Sequence, residues 1–358
     1  MQTAEAGLHV APITQQMLAR EQGRRIGIGL CVLALIVAGL ISVNLGNYPI
    51  HLFSLLSMWL DSADSNALRM PLYVLLELRI PRLFMAALVG ALLAVAGCAM
   101  QGLVRNPLAD PGLIGIAGGA AAAAALSLAV FTPTIIPASW WVASWAFGGA
   151  LVSVWLVLKV ASSPVGITVA TLILAGVAIN AIAGTVIGAV SYVASDDALR
   201  QISYWTMGSL GGANWQAVGM LTVVAGIAIW GLCRFSRALN LMALGENEAA
   251  CLGVNVKRVK SRLLWLVAFA VAMATALCGV IGFVGLVVPH IARRLFGVDH
   301  RYLMPVSALL GALLLVLADC VSRALMPPLE IPIGIVTSAL GSPFFLYLLW
   351  QSKKDMVA

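Results

Sequence analysis

Long apolar runs dominate this chain and restrict its fold more than any other feature. Each is close to the length of about 20 residues that a helix needs to cross a bilayer. No water reaches the hydrocarbon core, so backbone N–H and C=O groups there must pair within a helix. We predict an all-α integral membrane protein with about ten transmembrane helices in a compact bundle. The predicted spans are residues 26–45, 80–103, 112–131, 139–159, 166–194, 214–233, 263–280, 282–297, 303–325 and 332–351, with an interfacial helix over 51–60.

The composition agrees with a membrane protein and argues against a soluble one. Hydrophobic residues make up 61% of the chain and charged residues only 10%, which is far from the globular average. A net charge of +7 would suggest nucleic-acid binding in a soluble protein, but here we expect basic residues gathered on one side of a bilayer. The six cysteines are scattered without metal-ligand spacing, so we expect them to act as small packing residues.

The distribution of lysine and arginine predicts the orientation. With the amino terminus inside, all but five of the 21 basic residues fall in cytoplasmic segments; the outward ones are Arg69, Arg79, Arg82, Arg200 and Arg323. Such an excess marks the cytoplasmic side, so we place both termini there. A signal peptide is the alternative for the start, but no cleavage site clearly follows. The predicted divisions are a disordered cytoplasmic tail over 1–25, a ten-helix membrane domain over 26–352 and a cytoplasmic tail over 353–358.

The longest polar segment inside the chain is residues 234–262. We predict that Asn240 caps a short helix over 241–244, that Gly245 bends the chain, and that a second short helix ends at Gly253. An apolar ridge along these helices should be covered by a protein partner; it consists of Leu241, Met242, Leu244 and Leu252. An ordinary solvated loop is the alternative, which explains the charges but not the ridge.

Two groups of polar residues lie at the ends of predicted spans. On the outer side, Arg79, Arg82 and Arg323 either anchor in lipid headgroups or receive the carboxylates of an acidic partner. Asp319, four residues before Arg323, could hold that guanidinium in place. On the inner side, two prolines make residues 105–111 a rigid turn, which serves either as a plain connection or as a gate.

Other features inside the spans are less specific. We expect His290 to satisfy backbone groups freed by Pro289 rather than to bind metal, and Asn180 to make a helix–helix hydrogen bond. Residues 112–118 and 279–285 share the pattern G-x-I-G-x-x-G and open spans from opposite sides. This agrees with an inverted repeat, and equally with chance in a chain of 34 glycines.

No phosphate-binding loop of the form G-x-x-x-x-G-K-[ST] occurs in the sequence. We therefore expect that this polypeptide neither binds nor hydrolyses ATP. A secondary transporter would need ionisable groups buried in mid-span, and a membrane enzyme would need a catalytic cluster. The acidic residues lie in loops or near span ends and His290 stands alone, so both remain weaker alternatives.

Several motifs, in order along the chain, resemble those of the permease subunits of ABC importers for ferric siderophores, haem and cobalamin, the type II importers. The resemblance covers nearly the whole chain from about Ile26. The matching motifs are Arg79-Ile80-Pro81-Arg82, Met100-Gln101-Gly102, residues 105–112, Ala243-Leu244-Gly245-Glu246, Leu252-Gly253-Val254, residues 282–290, Asp299-His300-Arg301, Leu303-Met304-Pro305, Ala318-Asp319 and Pro332-Ile333-Gly334.

The resemblance implies a role for each matching residue. Residues 234–262 resemble a coupling loop that contacts an ATPase, through Leu244, Gly245, Glu246, Ala250, Leu252 and Gly253. Arg79, Arg82 and Arg323 match arginines that receive glutamates of a binding protein. The cytoplasmic gate would comprise Asn106, Pro107, Leu108 and Thr168. No catalytic or metal-binding residue is implied.

The resemblance also implies partners and a cargo class. We expect a second permease copy or a similar permease, two ATPase subunits that hold ATP and Mg, and a periplasmic binding protein, in a bacterial inner membrane. No cofactor is expected on this chain. The stretch 203–210, expected in an outer loop, is more similar to permeases for iron chelates than to those for cobalamin. The cargo is therefore predicted to be a ferric siderophore or haem, with cobalamin as the alternative.

Overall fold

The computed structural model describes residues 3–46, 48, 65–130, 135–163 and 166–357; the predicted interfacial helix over 51–60 lies outside them. A π-helical turn, Val74–Arg79, joins α2 to α3, and a small antiparallel hairpin pairs Ser162–Ser163 with Gly166–Ile167. The α-helices are α1 (Thr3–Asn44), α2 (Ser65–Tyr73), α3 (Ile80–Val104), α4 (Ile116–Val130), α5 (Ala138–Ala161), α6 (Val169–Val193), α7 (Asp196–Met207), α8 (Trp215–Arg234), α9 (Ser236–Leu244), α10 (Glu246–Cys251), α11 (Val256–Cys278), α12 (Val284–Phe296), α13 (His300–Ala324) and α14 (Ile333–Val357).

Each predicted span coincides with one of these helices, so the predicted all-α membrane fold is confirmed. Within the described part of the chain, eight helical stretches are long and apolar enough to cross a membrane. The helices at the other two predicted spans are shorter: α4 has 15 residues and α12 has 13. Each of the two G-x-I-G-x-x-G segments leads into one of these short helices. The inverted repeat itself stays a prediction.

Several helix ends differ from the predicted positions. Helix α1 already begins at Thr3, so the prediction of a disordered tail is wrong for residues 3–25. Helix α11 begins at Val256, well before the predicted residue 263. Part of the expected outer loop at 203–210 is helical, because α7 runs to Met207. Hydropathy marks where a helix enters lipid, whereas the helix itself continues into water.

Helix α3 occupies the centre of the bundle, where it packs against α8, α11, α12 and α13. Glycines allow this close approach. A Cβ atom added to Gly90 would lie 2.1 Å from the carbonyl oxygen of Gly311, and one on Gly97 would lie 1.9 Å from that of Gly285. The backbones are thus in direct contact, as is common where small residues line helix interfaces in lipid.

Candidate functional sites at the two ends of the helix bundle

The polar segment at 234–262 contains two short helices, α9 and α10, that meet at a corner, and it ends in the first turns of α11. Gly245 joins them with φ of 145°, a conformation that favours glycine. Helix α9 begins at Ser236, so Asn240 lies inside it and the predicted cap at Asn240 is wrong. The Asn240 amide instead donates to Asp299 Oδ1 at 2.6 Å, and its oxygen accepts from the His300 backbone N–H at 3.0 Å. These bonds fasten α9 to the start of α13.

Asp299 is the N-cap of α13, and its carboxylate accepts a hydrogen bond from the Arg301 backbone N–H. Burial alone would raise the pKa of Asp299. The hydrogen bonds from Arg301 and Asn240, together with the nearby charges of Arg301 and Arg24, outweigh burial and lower the pKa below its ordinary value. The carboxylate is therefore ionised at neutral pH, which suits both its capping role and its bond to Asn240.

The apolar ridge on this corner is narrower than predicted. Leu244 is 70% exposed and Leu252 is 61% exposed, whereas Met242 is buried in the core and Leu241 is half-buried. Ala250 and Gly253 are exposed beside the two leucines. The inclusion of Met242 in the ridge is therefore wrong, because the turn of α9 directs it inward. The remaining surface presents two large apolar side chains on a protruding corner, a form suited to docking.

Glu246, the first residue of α10, makes two ion pairs within the chain. Its Oε2 lies 2.6 Å from Nζ of Lys260, and its Oε1 lies 3.6 Å from Nη2 of Arg105. The Lys260 ammonium is buried and also donates to the carbonyl oxygen of Ile167 at 3.0 Å. Neither Lys260 nor Arg105 was predicted as a site residue, since nothing in the local sequence connects them to Glu246.

The predicted gate residues lie in two short connections. Asn106 accepts a hydrogen bond from the Leu108 backbone N–H at 2.9 Å, which closes the turn around Pro107. Thr168 is the N-cap of α6 and accepts from the Thr171 backbone N–H at 3.2 Å. Asn106, Pro107 and Thr168 are exposed and Leu108 is half-buried. Their geometry fits a rigid connection, and their role as a gate stays a prediction.

Burial also affects Asp110 in the turn that follows α3. Burial raises the pKa of Asp110, although a hydrogen bond from the Gly112 backbone N–H partly offsets it. A cavity of about 570 Å³ separates this turn from α9; Arg105, Asn106 and Leu244 are among its lining residues. The corner formed by α9 and α10, the predicted coupling corner, and the predicted gate turn therefore face each other across one open space.

The structure brings Arg79, Arg82 and Arg323 together around one cavity of about 360 Å³, whose lining also includes Glu330. Arg82 pairs with Asp319 and with Glu330, each at 2.8 Å. Arg323 lies 3.0 Å from Asp319 Oδ2, so the predicted pairing of Asp319 with Arg323 is confirmed.

Two of these arginines also stabilise the end of α1. Arg79 donates to the carbonyl oxygen of Val43 at 2.6 Å and to that of Tyr48. Arg323 donates to the carbonyl oxygen of Leu45 at 2.8 Å and to the Ser42 hydroxyl at 2.7 Å. Cations interact favourably with the unpaired carbonyls at a helix C-terminus. The Arg82 side chain is 13% exposed, against 6% for that of Arg323, and it pairs with the exposed Glu330; docking of all three arginines to a partner stays a prediction.

The two polar residues predicted inside spans behave differently. Asn180 donates to the carbonyl oxygen of Gly112 at 3.2 Å, so it links α6 to the segment before α4 as predicted. His290 packs edge-on against Phe344, with the ring centroids 5.8 Å apart. Neither ring nitrogen has a hydrogen-bond partner among the described residues, so the prediction that His290 satisfies freed backbone groups is wrong. Within the same residues, no group of three potential ligands could hold a metal ion.

Comparison with known proteins decides the family. A family model described as the FecCD transport family matches residues 34–351. The chain belongs to the FecCD transport family. It is similar to the hemin transport system permease protein HmuU of Yersinia pestis, with 41% identity over 92% of this chain and 97% of that protein. The vitamin B12 import system permease protein BtuC of Vibrio cholerae is 43% identical over 76% of this chain and 81% of that protein.

A solved structure supports the same assignment. It is described as an inward-facing conformation of a metal-chelate type ABC transporter, and it matches with a TM-score of 0.79 and 30% identity. The match covers 91% of this chain and 99% of that chain. This FecCD protein is therefore an ABC importer permease, a transport component, and the secondary-transporter and membrane-enzyme alternatives are set aside.

Proposed function

We propose that this FecCD permease carries an iron chelate, with haem as the first candidate, from the periplasm to the cytoplasm of a bacterial cell. The observation that supports haem is the 41% identity to the hemin permease, which extends over nearly the full length of both proteins. A ferric siderophore is the other candidate of the same class. Cobalamin is the second candidate function, because the vitamin B12 permease of Vibrio cholerae is equally similar over a shorter length.

An uncharged face of α6 supports a wide pathway for a large ligand. Helix α6 contains no charged residue. It leaves Leu174, Val177 and Ile182 exposed, and no atom of the described residues would contact a Cβ placed on Gly184 or Gly188. In a pair of permeases, two such faces would enclose a passage lined by small and apolar groups. This surface suits a large, mostly apolar chelate better than a small ion that needs charged ligands.

The energy source and delivery protein would be separate subunits. Two ATPases, which hold ATP and Mg, would dock on the corner formed by α9 and α10, with Leu244 and Leu252 as apolar contacts. A periplasmic binding protein would present carboxylates to the arginine cluster, which consists of Arg79, Arg82 and Arg323. Closure of the ATPases would then displace the corner and switch which end of the bundle is open. The basic-residue distribution supports placing the corner and both termini in the cytoplasm of an inner-membrane protein.

Uptake in whole cells tests this proposal. Cells lacking the chain, with or without a plasmid copy, are given radiolabelled haem, ferric siderophores and cobalamin in separate assays. We expect only haem import to depend on the plasmid copy. If only ferric siderophore import depends on the plasmid copy, the cargo is still an iron chelate, but a siderophore takes the place of haem. Dependence of cobalamin import, or of none of the three, contradicts the proposal.

A further inference from the structure

The Glu246 carboxylate on α10 reaches two connections of the chain at once. Its Oε1 atom lies 3.6 Å from Nη2 of Arg105, the residue immediately before Asn106. Through Lys260, at 2.6 Å, it reaches the carbonyl oxygen of Ile167, immediately before Thr168. A single side chain of the predicted coupling helix is therefore attached to both segments of the predicted cytoplasmic gate. Each attachment lies one residue before the predicted gate residue.

The two arms of this arrangement differ in strength. The Lys260 ammonium is buried, and a buried charge that loses its counter-charge is left uncompensated. Its two acceptors, Glu246 and Ile167, are thus held firmly together. The pair of Glu246 with Arg105 is longer and both side chains are partly exposed, so water and salt weaken it. The segment at Ile167 should follow α10 more closely than the turn at Arg105 does.

We propose that Glu246, Lys260 and Arg105 form an ionic junction that transmits movement of α10 to both gate segments, with Lys260 as the positioning residue. The inference rests on the proposed function, in which an ATPase moves α10. It assigns Glu246 a role inside its own chain rather than as a contact to the ATPase. When α10 shifts, the carboxylate shifts with it, and the firmly bound Lys260 and Ile167 must move or break their bonds.

The junction is tested with the permease–ATPase complex in proteoliposomes, using haem as cargo. The variants are Glu246→Gln, Lys260→Met and the two combined. Glu248→Gln and Lys257→Met are matched controls, because both are exposed residues on the same two helices. We expect each junction variant to lower haem imported per ATP hydrolysed by roughly fivefold, with the ATPase still bound and active. Both changes break the same junction. The double variant should therefore import no less haem per ATP than the more impaired of the two single variants.

Two further measurements separate this inference from the choice of cargo. Lys260→Arg keeps the positive charge and should recover most of the import ratio. Hydrogen exchange, which needs no cargo, should become faster at residues 166–171 in Lys260→Met but not in Lys257→Met. If the wild-type complex imports no haem, the proposed function fails while hydrogen exchange still tests the junction. The junction would be overturned if hydrogen exchange at residues 166–171 were unchanged in Lys260→Met, or if Glu246→Gln lost its bound ATPase. It would also be overturned if the losses of haem import in the two single variants multiplied in the double variant.

Discussion

The Oδ1 atom of Asp319 lies 2.8 Å from Nη2 of Arg82, and the two residues belong to different helices, α13 and α3. Arg323 approaches the other oxygen of the same carboxylate at 3.0 Å. Asp319 is only 1% exposed, so one buried carboxylate bridges two guanidiniums, and Glu330 supplies a second negative charge beside Arg82. This arrangement ties the start of α3 to the end of α13 and sets the positions of Arg82 and Arg323.

Removal of the buried charge should destabilise the permease much more than removal of an exposed one. Asp319→Asn leaves two arginines without their shared partner and should lower the free energy of unfolding by about 3 kcal/mol. Glu330, which is 43% exposed, pairs with the same Arg82, and Glu330→Gln should cost less than about 1 kcal/mol. Equilibrium unfolding in detergent measures both values. Equal losses would show that burial of Asp319 does not govern the cluster.

Glu330 should also compete with the carboxylates of a docking partner. Its ion pair occupies Nη1 of Arg82, and both residues line the same cavity. Glu330→Gln frees that group, so we expect the binding protein to bind roughly threefold tighter at low salt. Surface plasmon resonance on the permease in nanodiscs measures the Kd, and the gain should vanish at high salt because the charges are screened. Weaker binding by Glu330→Gln would indicate that Glu330 helps docking.

The transmembrane part of this fold could be predicted because the bilayer imposes a simple rule on the backbone. Apolar runs such as 303–325 coincide closely with a helix, here α13. The ends of α1 and α11 could not be predicted in the same way. Water allows polar residues to continue a helix, so Thr3 and Val256 begin helices that hydropathy alone places later.

Exposed leucines on the coupling corner should determine ATPase binding. Leu244→Asp or Leu252→Asp places a charge in the proposed contact, and either should weaken ATPase binding by roughly tenfold or more. Leu329→Asp is the control, because Leu329 is equally exposed but lies in the connection between α13 and α14 on the side of the arginine cluster. Copurification of the ATPase from membranes gives the readout. Retention of the ATPase by both corner variants would place its contact elsewhere.

Close backbone contact in the core should make one glycine much less tolerant than another. Gly97→Ala would place a methyl group 1.9 Å from the carbonyl oxygen of Gly285, and such overpacking costs about 1–3 kcal/mol or more. Gly226→Ala, in α8, meets no atom within 4 Å in the described part of the chain and should leave stability unchanged or slightly improved. Thermal unfolding of the two variants in the same detergent compares them. A similar melting temperature for both would contradict the packing of α3 on α12.

The candidate sites were only partly predictable, because their decisive contacts join residues far apart in sequence. Local capping preference assigns Asn240 to a helix start, whereas its true partners are Asp299 and His300. The motif at Arg79 indicates an outer surface site, but its guanidinium reaches the end of α1. Such contacts depend on how the helices pack, and no periodicity in the sequence encodes them.

Reconstituted transport shows whether this permease is the membrane pathway for haem. The permease, its ATPase and its binding protein are placed in proteoliposomes, and accumulation of radiolabelled haem is followed with and without ATP on the ATPase side. We predict ATP-dependent accumulation that excess unlabelled haem abolishes and excess cobalamin does not. Accumulation of labelled cobalamin in place of haem, or haem entry that is independent of ATP, would show that the permease is not an ATP-driven haem importer.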